Sequence, residues 1–142
     1  MKAILFLDID GVCHGEYGKK LSCLPMIEEC VYQMPCVEVV ISSAWRTRMT
    51  LEELRLLFSP GIRERVTGCT PEMEDGLRAG GRQKEIEQYL SQRVEPLESL
   101  RWVVLDDMDI LFSDGYPHLI QTEPEGGFSR KDAERLLAWY RN

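Results

Sequence analysis

The chain begins with an unbroken apolar run, Ala3 to Leu7, that stops abruptly at Asp8. Such a run is the pattern of a strand covered on both faces, and it predicts a first strand over residues 3–8. The period then changes. Ile27, Cys30, Val31 and Met34 recur at helical spacing, with Pro25 near the first turn and Pro35 as terminator, which predicts a helix over Leu24–Met34. Val37–Ile41 (VEVVI) is a second strand, closed by Ser42-Ser43. Thr50 and Glu53 form a capping box ahead of a helix whose Leu51, Leu54 and Phe58 share one face. Ile62–Val66 reads as a short strand, and Arg82–Ser91 as a helix with Ile86, Tyr89 and Leu90 inward. Trp102–Leu105 (WVVL) is a buried strand ending in Asp106-Asp107. His118–Gln121 is the last strand, and Ser129 caps a final helix carrying Ala133, Leu136, Leu137 and Tyr140.

Strands that alternate with helices imply βα units, so the expected class is α/β: a three-layer, Rossmann-like, mostly parallel sheet with helices on both faces. Ligands of such sheets bind at the carboxyl ends of the strands. Three of those ends are polar here: Asp8/Asp10, Ser42/Ser43 and Asp106/Asp107.

Length and composition narrow the function classes. The 142 residues suit one domain, residues 1–142, and no apolar run approaches the roughly 20 residues of a membrane span. The apolar start meets aspartates at once and lacks a small-residue cleavage site, so a cytoplasmic protein with no membrane partner is expected. Five cysteines, odd in number and without a CxxC pair, argue against a disulfide framework or structural zinc. The net charge of −7 argues against a stable nucleic-acid complex held by general electrostatics.

The strand ends carry the chemistry. Asp8, Asp10 and Asp106 repel one another unless a cation offsets them, and Mg²⁺ favours carboxylates together with water and phosphate oxygens. Gly11 allows a tight turn directly after Asp10. The Ser42 hydroxyl and the following backbone N–H groups suit phosphoryl oxygens, and either Arg82 or Lys84 supplies a further positive charge. A lone DxD is weak evidence, because polar strand ends are common. DxDGV, a strand closing in Ser, a cation, then a strand closing in DD form a far more specific order.

That order resembles the haloacid dehalogenase (HAD) superfamily, whose members carry these four motifs across the whole domain. The resemblance implies a phosphatase using Mg²⁺ and an aspartyl-phosphate intermediate. Asp8 would be the nucleophile and Asp10 the general acid and base. Ser42, with Ser43, would bind the phosphoryl group, and Asp106 would ligate the metal with Asp107 assisting. Asp8 and the main-chain carbonyl of Asp10 would complete the protein's share of the metal shell. LDIDGV, ISSAWR, RQKEI and VLDDMDILF look more narrowly like the HAD domain of Swiss-army-knife RNA repair proteins, and that pattern favours Arg82 as the third-motif cation. Many HAD enzymes insert a cap. Only 31 residues separate Asp10 from Ser42 and 39 separate Ser42 from Arg82, and predicted elements occupy much of both, so no cap is expected. The site should be open except for a flap over Cys13–Leu21, which suits a large phosphorylated substrate such as an RNA or DNA end.

Several residues have two readings. Arg46 is either a clamp for a second phosphate or the partner of a local carboxylate, and Trp45 stacks on a base or, in the favoured reading, packs. His14 is read as a solvated loop residue over a leaving-group contact, and His118 as structural. The competing function is a non-catalytic module that binds phosphate or a partner. A signalling receiver domain fails on order, since its phosphorylated Asp lies on a middle strand.

Overall fold

A computed structural model describes residues Met1–Asn142. Five parallel strands form one sheet in the order β3-β2-β1-β4-β5, where β1 is Lys2–Leu7, β2 Val37–Ile41, β3 Val66–Cys69, β4 Leu100–Asp106 and β5 Leu119–Gln121. The α/β architecture follows the alternation of periods in the sequence. Side chains of β1 alternate between two layers. Ala3, Leu5 and Leu7 enter a 23-residue core with Leu24, Ile27 and Val31 of α1 (Leu24–Tyr32) and Leu136 of α5 (Arg130–Arg141). Ile4 and Phe6 point the other way, into a 9-residue cluster with Ile86 and Leu90 of α4 (Gly81–Ser91). β1 is therefore apolar at every position after Lys2, because both its faces are covered.

Two short helices, α2 (Leu51–Arg55) and α3 (Pro60–Arg63), fill the stretch between β2 and β3. The Thr50–Glu53 capping box opens α2 in both directions. The strand expected over Ile62–Val66 is displaced: Ile62 is buried from α3, and the strand starts at Val66. Pro60 in the first turn of α3 makes the segment helical, so the apolar Ile62 marks a helix face. No cap stands between the motifs: β1 and β2 are joined by a loop and α1 alone. No helix is long and apolar enough to cross a membrane.

Candidate active site

Strand register assembles the site. Leu7 of β1 lies opposite Ile41 of β2 and Leu105 of β4, so the next residues, Ser42, Asp8 and Asp106, emerge side by side. The ladder continues one step further: the Ser42 N–H donates to the Leu7 carbonyl at 3.0 Å, and the Asp8 N–H to that of Leu105 at 3.1 Å. All three side chains are buried.

Asp107 completes the acidic group. Carboxylate oxygens of Asp8, Asp106 and Asp107 lie within 4.8 Å of one another. Gly11 makes room for it, with φ +79° and with a would-be Cβ only 2.3 Å from Asp107 Oδ2. A side chain at this position would be strained by the positive φ and would push Asp107 out of place. Thr122, just beyond β5, ties the turn down by donating its hydroxyl to the Gly11 carbonyl at 2.7 Å.

One cation faces the three carboxylates. Arg82, in the first turn of α4, places Nη1 2.8 Å from Asp106 and 3.4 Å from Asp8. Burial pushes the Asp8 carboxyl well above its ordinary range, the Asp106 charge adds to this, and Arg82 opposes it only in part. Burial raises Asp106 as well, against the pull of Arg82. Burial also works against the Arg82 charge, but Asp106 and Asp8 outweigh it and hold the guanidinium above its usual range. The cluster thus carries more negative charge than its arginine offsets. Hard oxygen donors at this spacing suit Mg²⁺. Two buried polar atoms beside the carboxylates, Ser42 Oγ and Arg82 Nε, have no protein partner, as does Thr70 Oγ1 at the end of β3. Orphaned buried donors are rare in folded proteins, and these fit an oxyanion held next to a cation.

Asp10 stands apart from this group. Its side chain is 66% exposed, and its carboxylate is not among the clustered three. Trp45 donates its indole N–H to Asp10 Oδ2 at 3.0 Å, and His14 Nε2 lies 2.9 Å from Oδ1. The clustered carboxylates are thus Asp8, Asp106 and Asp107, and the Asp10 side chain, which the sequence reading brought together with Asp8 and Asp106, lies outside the group. The left-handed turn at Gly11 opens onto Asp107, while Asp10 is held by Trp45 and His14. His14 is not a solvated loop residue, since only 13% of its side chain is exposed.

The remaining site candidates lie as follows. Arg46 directs its guanidinium inward, donating to the carbonyls of Thr70, Ser42, Ser43 and Pro71 and pairing with Glu85 at 2.9 Å. With all its N–H groups engaged, it holds the Ser42-Ser43 loop from behind. Ser43 accepts the Trp45 N–H at 3.2 Å and so starts the turn that carries Trp45. Lys84 points to the surface and pairs with Asp75 at 3.0 Å. Sequence reasoning passed over Thr70 and Thr122, favoured packing for Trp45 and read His14 as a solvated loop residue. The two threonines were within reach of the strand-end rule, since each directly follows a strand. A cavity of about 730 Å³ lies elsewhere, between α4 and the β4–β5 region, and is lined by none of these residues.

The open parallel sheet thus gathers an acidic trio and a serine at its central strand ends, faced by an arginine from α4. The sequence matches the model of the HAD domain in Swiss Army Knife RNA repair proteins over residues 4–133, and the chain belongs to that family. A search of curated proteins finds no match.

Proposed function

We propose that the protein is a Mg²⁺-dependent phosphomonoester hydrolase acting through an aspartyl-phosphate on Asp8. The observation that carries this reading is the under-neutralised group Asp8, Asp106 and Asp107, set beside Arg82 and an unpartnered Ser42 hydroxyl. An Asp8 oxygen attacks phosphorus, a P–O bond forms, and the bond to the leaving oxygen breaks as Asp10 gives that oxygen a proton. Water then attacks the phosphorus, Asp10 takes its proton, and the Asp8–phosphate bond breaks to release inorganic phosphate. Ser42, with the loop that Arg46 braces, holds the transferring oxygens, and Arg82 offsets part of the charge. Asp8, Asp106 and Asp107, with the Asp10 main-chain carbonyl, would hold Mg²⁺, which would supply the remaining positive charge.

The substrate is a large phosphorylated molecule, with RNA or DNA ends as the leading class. Two facts support this: no cap covers the strand ends, and the matched family is described from RNA repair proteins. The net charge of −7 favours a transient encounter over a stable complex. Purified protein with Mg²⁺ should hydrolyse aryl phosphates and end-phosphorylated oligonucleotides, and Asp8→Asn should lower turnover by roughly 10⁴-fold or more. Full activity in Asp8→Asn, or after chelation of all divalent metal, would sink the mechanism. Inactivity across a broad phosphoester panel would point instead to a phosphate-binding module.

A further inference from the structure

We infer that His14 and Trp45 are positioning residues that hold the Asp10 carboxyl group in the orientation needed to give a proton to the leaving oxygen and then to take one from water. The inference rests on the phosphatase reading and adds to it two side chains outside the four motifs.

Three observations meet on Asp10. An exposed aspartate ordinarily rotates freely about its side-chain bonds, yet here each oxygen is engaged. Trp45 Nε1 donates to Oδ2 at 3.0 Å, and His14 Nε2 sits 2.9 Å from Oδ1. Second, the tautomer of His14 is set by its other nitrogen. The Leu21 backbone N–H donates to Nδ1 at 3.1 Å. A backbone N–H can only donate, so Nδ1 is the acceptor and the ring proton resides on Nε2, aimed at Asp10. Third, that contact is made at a strained residue. Leu21 has φ +60° and is the one non-glycine residue in the left-handed region. Such a conformation costs a leucine about 1–2 kcal/mol, and strain of this kind persists where the surroundings over-determine it.

The other side of the clamp is equally supported. Ser43 accepts the Trp45 N–H, and Lys20 from the flap lies 5.0 Å over the indole ring. Both walls of the clamp thus involve the flap between Cys13 and Leu21: one through His14, the other through Lys20. The flap's role is to lock the acid, with Ser43 anchoring the opposite wall. Holding a reacting group in place before the reaction removes an ordering penalty that would otherwise fall on the transition state.

The test uses leaving groups of different quality. A poor leaving group such as an alkyl alkoxide needs the proton from Asp10, whereas dinitrophenolate departs with little help. Trp45→Phe and His14→Leu should each lower kcat/KM, which reports the step in which the leaving oxygen departs, by roughly ten- to a hundredfold on an alkyl phosphate. The loss of kcat/KM on dinitrophenyl phosphate should be much smaller, whereas kcat on either substrate also includes the water step that Asp10 serves as base. His14→Gln, which keeps a donor near the position of Nε2, should recover most of the alkyl phosphate rate. Circular-dichroism melts show which variants fold. Equal losses on both substrates, or no rescue by Gln, would reduce the pair to structural packing and overturn the inference. Nitrogen shifts of the His14 ring give a readout free of activity. They should show the Nε2–H tautomer in the wild type, and the opposite tautomer would also overturn the inference. Turnover of neither substrate by the wild type, with the expected tautomer present, would place the failure in the phosphatase reading and remove the catalytic purpose of the clamp.

Discussion

Two groups of arginine and carboxylate sit at opposite ends of the same sheet. At the amino ends of the strands, Arg93 grips both oxygens of Glu38 at 2.8 and 2.9 Å and reaches Glu95 at 2.9 Å. Lys2 lies 3.9 and 4.0 Å from the same two carboxylates, and Thr67 donates to Glu38. Two cations thus meet two anions, and every partner is near water. Arg93 hydrogen bonds hold the Glu38 carboxyl below its ordinary range. At the carboxyl ends, Arg82 meets Asp8 and Asp106 in the interior with half-buried Asp107 beside them, and burial drives Asp8 and Asp106 upward. The residue types match, but the charge balance is opposite. A balanced, wet group stabilises the fold. An unbalanced, buried one is tolerable only where a ligand completes it.

Removing the single cation of the unbalanced group is the harshest way to test this difference. Arg82→Ala leaves buried carboxylates unpaired and should destabilise the metal-free protein by about 3–5 kcal/mol. Urea melts measure it. Added Mg²⁺ should recover part of the loss, because it supplies the missing charge. Lys84→Ala, which breaks only an exposed pair with Asp75, should stay within about 0.5 kcal/mol of the wild type. If the two variants melt alike, Arg82 is not the group's counter-charge.

Removing one anion should act in the opposite direction. Asp8→Asn is the variant expected to lose turnover, yet without metal it should be more stable than the wild type by about 1–2 kcal/mol. The sign follows from the raised Asp8 value in the fold. Below the unfolded value of 3.8 the carboxyl is protonated in both states, and no penalty exists. As pH rises from there through the raised folded value, the unfolded chain ionises first, so the penalty grows and then stays constant. The advantage of Asp8→Asn should therefore be present at pH 7 and vanish in acid. Thermal melts at several pH values, with chelator, would show an Asp8→Asn midpoint below the wild type if the cluster were already balanced.

The same contrast explains what could be read from the amino-acid order. The central strands were legible because β1, β2 and β4 are buried runs, and buried strands need no partner information to announce themselves. β3 was not, since VTGC is short, includes Gly68 and follows a helix that hides its apolar residue at Ile62. At the site, Asp8, Ser42 and Asp106 were readable as strand ends, and the pairing register places them side by side. What adjacency could not reveal was direction. Arg46 follows the serines yet points into the fold, and Asp10 sits two residues from Asp8 yet faces Trp45. Those outcomes depend on contacts across 35 residues, between Asp10 and Trp45, and on the strained turn at Leu21. No local pattern encodes either.

A smaller effect than either site variant belongs to the balanced group, and its pH dependence should run opposite to that of Asp8. Arg93→Met removes the bidentate contact to Glu38 and should destabilise by about 1 kcal/mol at neutral pH, the scale of a well-formed but solvent-screened pair. Because the folded Glu38 value is depressed, its contribution is fully present above the unfolded value of 4.5 and is lost as pH falls through the folded value. The gap between wild type and Arg93→Met should thus close on acidification. For Asp8→Asn the gap also closes, but from the opposite side, with the variant above the wild type at pH 7. Chemical denaturation of both variants at neutral and acid pH separates the two groups by sign alone, whatever the sizes. Gaps of the same sign would mean that the two arginine clusters differ only in depth and not in charge balance.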